Sequence, residues 1–131
     1  AGSLLAAAAD EASRTGAPIA GCLSATARTA GQRVGQEARD AGGSPDRHDD
    51  PRQTVLDALA QHGYEPELGD HDQVTLANCP FHRLAQQHRT LVCGMNLDFV
   101  RGLLDGIGQT DRLDARLAPE PGRCCVRIAT A

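Results

Sequence analysis

The chain has 131 residues, which is long enough for one domain whose buried core is stable without disulfide bonds. Its net charge is −4 at pH 7, all 13 basic residues are arginine, and it has one tyrosine, two phenylalanines and no tryptophan. The charge argues against a DNA-binding surface of clustered cations, and so few aromatic residues leave little for stacking on bases. No apolar run approaches the ~20 residues that span a bilayer, and no signal peptide is recognisable, so we expect a cytoplasmic protein with no membrane partner.

The N-terminal third predicts two helices and a loop. Residues 4–14 suit one helix, and residues 18–40 suit a second that is rich in alanine and glycine. Small residues allow close helix approach, which favours a helix pair or a dimer interface, while an alanine-rich surface helix explains the pattern equally well. Residues 41–50 are polar with glycine and proline, and predict a loop. We therefore divide the chain into a helical segment at 4–40, this loop, and a second domain at 51–131.

The rest of the chain alternates between helical and strand patterns. Helices are predicted at 51–62, from about 81 to about 88, and at 91–104. Strands are predicted at 64–68, 73–78, 111–117 and 123–129, where apolar and polar residues alternate. Glycine-containing helix ends or turns separate these helices and strands at residues 63, 69–72, 106–108 and 119–122. The order predicts an α+β fold, with N-terminal helices followed by ββ-αα-ββ and an antiparallel sheet of about four strands packed on helices.

The chain has five cysteines, and this odd number without a secretory signal disfavours a disulfide framework. Cys79 follows a predicted strand, Cys93 lies in the first turn of a predicted helix, and Cys124 opens the last strand. If the two hairpins share one sheet, these three converge at one edge, and a helix N-terminus favours the thiolate that binds metal. Buried packing is the competing interpretation, and it is the one we prefer for Cys22.

Further side chains near these cysteines are candidates for a fourth ligand. His82 lies three residues after Cys79 and can share a helical face with it, and His88 precedes Cys93 by five residues.

Cys125 directly follows Cys124, and adjacent side chains on a strand face opposite ways. We therefore predict that one of the two is a ligand and the other belongs to the core, unless the chain is irregular there, in which case Cys125 is a further candidate for the fourth ligand. The cysteine spacings exclude a zinc ribbon. No arrangement of nucleophile and base, and no phosphate-binding loop, argues for an enzyme.

Three segments together carry a resemblance to a known family: residues 78–85 (NCPFHRLA), 88–96 (HRTLVCGMN) and 121–126 (PGRCCV). They resemble the C-terminal half of ArsR-like winged-helix regulators common in actinobacteria, a group that includes the SufR-type repressor of iron–sulfur assembly operons. The opening helix and residues 29–35 are similar to the segment that follows the winged helix in those proteins. The resemblance covers most of the chain.

Such regulators pair an N-terminal winged helix-turn-helix with a C-terminal domain that dimerises, and in the SufR type this domain holds an iron–sulfur cluster on three cysteines. Cys79, Cys93 and Cys124 match those ligands by position. The resemblance therefore implies a homodimer, an iron–sulfur cofactor, and operator DNA bound through a winged helix outside this chain. On this basis we assign dimerisation to the helical segment at 4–40 and metal sensing to the α+β domain at 51–131. The adjacent Cys125 leaves the third ligand open.

Two alternatives remain beside the cluster. In one, Cys79, His82, Cys93 and Cys124 form a closed Cys₃His site for structural zinc. In the other, the cysteines are inert and a small effector molecule binds in an apolar pocket between sheet and helices.

Overall fold

The computed structural model describes residues 2–42, 51–69, 73–77, 88–108, 113–118 and 126–130 of the chain. Within these ranges the helices are α1 (Gly2–Thr15), α2 (Ile19–Gly42), α3 (Pro51–Gln61) and α4 (Arg89–Ile107). The strands are β1 (Pro66–Leu68), β2 (Val74–Leu76), β3 (Leu113–Leu117) and β4 (Val126–Thr130). The predicted α+β class is confirmed. The short helix predicted from about 81 and the loop at 41–50 fall almost wholly outside the described residues.

The strands form one four-stranded antiparallel sheet in the order β1-β2-β4-β3. The two predicted hairpins thus join through the β2–β4 pair, in which Val74 lies opposite Ile128. The first hairpin closes where the Gly69 N–H donates to the Gln73 carbonyl at 2.7 Å. The sheet is therefore continuous from one hairpin to the other, as the predicted convergence of the cysteines requires.

The core lies between one face of the sheet and helices α3 and α4. Alternate strand residues point into it, because successive side chains of a strand face opposite ways. Its fully buried members include Val74, Leu76, Val126 and Ile128 from the two central strands, with Leu103 from α4. Each such side chain contributes about 1.5–3 kcal/mol when it leaves water. The polar partners, such as Asp114 and Arg116, stand on the exposed face.

A second apolar cluster joins α1, α2 and the beginning of α4. It consists of Ala8, Cys22, Leu23, Ala27, Val92 and Met95. Through this cluster the N-terminal helices rest on α4, which in turn packs on the sheet.

Two helix ends depend on glycine. Gly63 has φ 89° just beyond α3, and Gly108 has φ 86° at the end of α4, where its N–H donates to the Leu104 carbonyl at 3.0 Å. Glycine adopts this left-handed conformation without a Cβ penalty, which explains why both predicted stops are correct in place. Gly106 is different, because it lies inside α4 rather than beyond its end.

Candidate functional site

Cys93 lies on α4 and is 5% exposed. The helix begins at Arg89, with His88 as its N-cap, so Cys93 is the fifth helical residue and falls in the second turn. Its predicted place in the first turn is wrong. The apolar pattern begins at Leu91, whereas the helix begins earlier with the exposed Arg89 and Thr90, which periodicity does not detect. The influence of the helix N-terminus on this thiol is correspondingly weaker, since it falls off within the first turn.

Four strand ends lie together at one end of the sheet, which we call the Leu76 end. Leu76 is the last residue of β2 and pairs with Pro66, the first residue of β1. Val126, the first residue of β4, pairs with Leu117, the last residue of β3. Since β2 and β4 are antiparallel neighbours, the chain leaves β2 and enters β4 at this same end.

The N-terminal half of α4 points towards the Leu76 end. The Tyr64 hydroxyl, two residues before β1, donates to the Asn96 side-chain oxygen at 2.8 Å. Further along α4, the Arg101 Nε donates to the carbonyl of Ala115, the middle residue of β3, at 3.2 Å. Cys93 lies one turn before Asn96, on the same helical face. The structure therefore places the buried Cys93 on the part of α4 that points to the end of the sheet where β2 stops and β4 starts.

The other predicted ligands, Cys79, His82, Cys124 and Cys125, lie outside the described residues. Cys79 is three residues after the end of β2, and Cys124 is two residues before the start of β4. In the part of the chain that is described, no group of three potential ligands among His, Cys, Asp and Glu comes together.

His88 and Cys22 have contrasting places. His88 is exposed at the start of α4, and its distance of five residues from the buried Cys93 puts the two on different sides of the helix. That geometry disfavours His88 as a ligand of the same metal as Cys93. Cys22 is 6% exposed among the apolar side chains of the second cluster, so its prediction as a core residue is confirmed.

Helices α2 and α4 touch backbone to backbone through four glycines. A Cβ on Gly31 or Gly35 would clash with the carbonyl oxygens of Phe99 or Leu103 in α4. A Cβ on Gly102 or Gly106 would clash in the same way with the carbonyl oxygens of Arg28 and Gln32 in α2. Contacts of this kind bring Cα–H groups against carbonyl oxygens across the helix interface.

The two helices run parallel, because residue numbers rise together along the contact. Near its beginning the Ser24 hydroxyl donates to the Asp98 carboxylate at 2.6 Å, and further on the Gln32 amide donates to the Asp105 carboxylate at 2.7 Å. The helix-pair interpretation of the small residues in α2 is thus confirmed within one chain. The sequence signal for it was the four-residue spacing of glycines in both helices.

A cavity of about 270 Å³ opens between α1, α2, α4 and the segment that joins α3 to β1. The buried Asn96 lines it together with Tyr64, and the Phe99 ring stacks on the Tyr64 ring at 6.3 Å between centroids. The cavity lies between the helices, whereas a pocket was predicted between the sheet and the helices. Sequence reasoning missed it because its walls come from four separate segments.

The chain matches no family model, no curated protein and no solved structure. No helix in the described ranges is long and apolar enough to cross a membrane.

Proposed function

We propose that this chain is the sensing and dimerisation domain of a bacterial transcription regulator, in which Cys79, Cys93 and Cys124 bind an iron–sulfur cluster. One observation carries the proposal: the buried Cys93 lies on the part of α4 that points to the Leu76 end of the sheet. At that same end, β2 stops three residues before Cys79, and β4 starts two residues after Cys124.

Chain length supports the same arrangement. Consecutive Cα atoms are about 3.8 Å apart, so three residues reach at most about 11 Å and two residues about 8 Å. These lengths limit how far Cys79 can lie from the end of β2 and Cys124 from the start of β4, and both strand ends belong to the Leu76 end. The proposed site would join residues that are 14 and 31 positions apart in the sequence (79 to 93 and 93 to 124).

The chemistry of the donors fits the group. Thiolates are the usual ligands of iron–sulfur clusters, and a cluster supplies reversible electron transfer and sensitivity to oxygen or iron. The part played by this chain is to hold and shield it. Cys93 projects from a helix rather than a loop, and its 5% exposure excludes most solvent from its sulfur. Three cysteine ligands with an open fourth position suit a sensor, whose response depends on gain or loss of the bound group.

A signal at Cys93 has a direct route to the N-terminal helices. Because α4 contacts α2 through glycine backbones, a shift of α4 moves α2 without flexible side chains to absorb it. The second apolar cluster then joins the beginning of α4 to α1 as well as α2. Movement of the helical segment would then change the position of a winged helix outside this chain, and with it the affinity of that winged helix for operator DNA.

The proposal includes a homodimer in the cytoplasm. Light scattering on a size-exclusion column tests it, and we expect twice the mass of one chain at micromolar concentration. A single-chain mass at every concentration would contradict the dimer.

Zinc is the second candidate, bound by Cys79, His82, Cys93 and Cys124 in a closed site. The Leu76 end of the sheet suits a zinc site as well as it suits a cluster. Purification without oxygen, followed by visible spectroscopy and analysis of iron, sulfide and zinc, separates the two. A coloured sample with matched iron and sulfide supports the cluster, whereas a colourless sample with one zinc per chain supports the structural site.

A further inference from the structure

The 270 Å³ cavity has an apolar body. Leu4, Val34 and Met95 line it from three different helices, and Phe99 forms part of its wall. Small-molecule sites commonly occupy about 300–1,000 Å³ and combine apolar walls with a few placed polar groups. A cavity near the lower end of this range suits a ligand smaller than a typical drug.

Its polar groups have two distinct positions. Deep in the cavity, Tyr64 and Asn96 are both buried and joined by their 2.8 Å hydrogen bond. Arg33 and His62 also line the cavity, and both are exposed, so they stand at its mouth. Within the described part of the chain, no carboxylate forms an ion pair with Arg33. The mouth therefore carries an exposed guanidinium.

The aromatic side chains form one continuous wall. Phe99 stacks on Tyr64 with an interplanar angle of 17°, and the His62 ring lies 6.1 Å from Phe99 at 55°. Flat or slender apolar groups pack well against such a wall. Arg33 also lines a groove along α1 and α2, but that groove contains Glu11, whose negative charge disfavours an anion there and favours the cavity mouth.

We propose that this cavity binds a small organic monocarboxylate, with its apolar body against Phe99 and Met95 and its carboxylate at Arg33. The guanidinium supplies the charge-assisted hydrogen bonds that select an acid over its neutral analogue. Binding here is separate from the cysteines, although Asn96 lies one turn from Cys93 on α4. Binding of the carboxylate is therefore expected with or without a bound metal.

Tyr64 makes the test direct. It is the single tyrosine in a chain without tryptophan, so intrinsic fluorescence reports on the cavity wall alone. The probe is 3-phenylpropionate, titrated into the whole chain as purified and again after metal removal. Its amide, 3-phenylpropionamide, has the same body without the charge. We expect saturable fluorescence change with the acid and at least several-fold weaker binding of the amide. Equal affinity for both would overturn the assignment of an anionic ligand.

Three variants locate the probe. Ala30→Leu places a larger side chain at the cavity wall and is expected to abolish binding, while Arg33→Gln weakens it by roughly three- to tenfold. Arg28→Gln makes the same charge change on the same helix, at an exposed residue that does not line the cavity, and is the matched control. Circular dichroism verifies that each variant is folded. Unchanged binding by Ala30→Leu, or an absence of saturable binding in the unmodified protein, would overturn the proposal.

Discussion

Tyr64 donates its hydroxyl hydrogen to the side-chain oxygen of Asn96 at 2.8 Å, and both residues are buried. Asn96 is 1% exposed and is the buried polar side chain of the described core. The bond ties the chain segment before β1 to α4. It fixes how the beginning of that helix meets the Leu76 end of the sheet.

Removing this donor is expected to destabilise the fold. Tyr64→Phe leaves the buried Asn96 oxygen without its phenolic partner, at a cost of about 1–3 kcal/mol in the free energy of unfolding. Urea denaturation followed by circular dichroism measures it. Asn96→Leu and the double variant complete a mutant cycle, for which we expect a coupling energy of about 1 kcal/mol. A coupling energy near zero would show that the bond contributes nothing to stability.

The glycine contacts between α2 and α4 give a second prediction. Gly102→Ala adds a Cβ against the Arg28 backbone, so the helices must separate. We expect a loss of about 1–3 kcal/mol, even though alanine favours the helix by up to about 1 kcal/mol. Thermal or urea unfolding reports the change.

Gly94→Ala is the matched control for that experiment. Gly94 lies in the same helix, but a Cβ there meets no atom within 4 Å. Only the helix propensity then acts, and we expect a gain of about 0.5–1 kcal/mol. Opposite signs for these two substitutions are the expected result. A gain of stability in both variants would refute the tight backbone contact.

The polar pairs beside the glycines are expected to differ in strength. Ser24→Ala removes a 2.6 Å hydrogen bond to Asp98 that is partly buried, and should cost about 1 kcal/mol. Gln32→Ala removes the exposed bond to Asp105 and should cost about 0.5 kcal/mol or less. Urea denaturation of the two variants, compared with the unmodified chain, checks the order. An equal or larger loss for Gln32→Ala would contradict it.

Sequence periodicity predicted the helices and strands because each buries one face. Residues Val74 and Leu76, for example, alternate with a less buried Thr75. It predicted less well where a polar first turn precedes the apolar pattern, as at Arg89. For this reason Cys93 lies in the second turn of its helix and not in the predicted first turn.

Long-range contacts were harder to predict. The glycine pair of α2, Gly31 and Gly35, belongs to the same helix contact as the glycine pair of α4. That second pair, Gly102 and Gly106, lies 71 residues further along the chain. The Tyr64–Asn96 bond and the cavity beside it likewise depend on which elements meet, which periodicity does not encode. For the proposed metal site, Cys93 is described, while its predicted cysteine partners lie outside the described residues.

Replacing one cysteine at a time tests the central proposal most directly. The chain, its Cys93→Ser variant and its Cys22→Ser variant would be purified without oxygen, and iron, sulfide and visible absorption measured per folded chain. Cys22 is the matched control, because it is also buried but belongs to the apolar cluster. We predict that Cys93→Ser loses most of the colour, iron and sulfide, and that Cys22→Ser keeps them. A Cys93→Ser sample as coloured as the unmodified chain would contradict cluster binding at this residue.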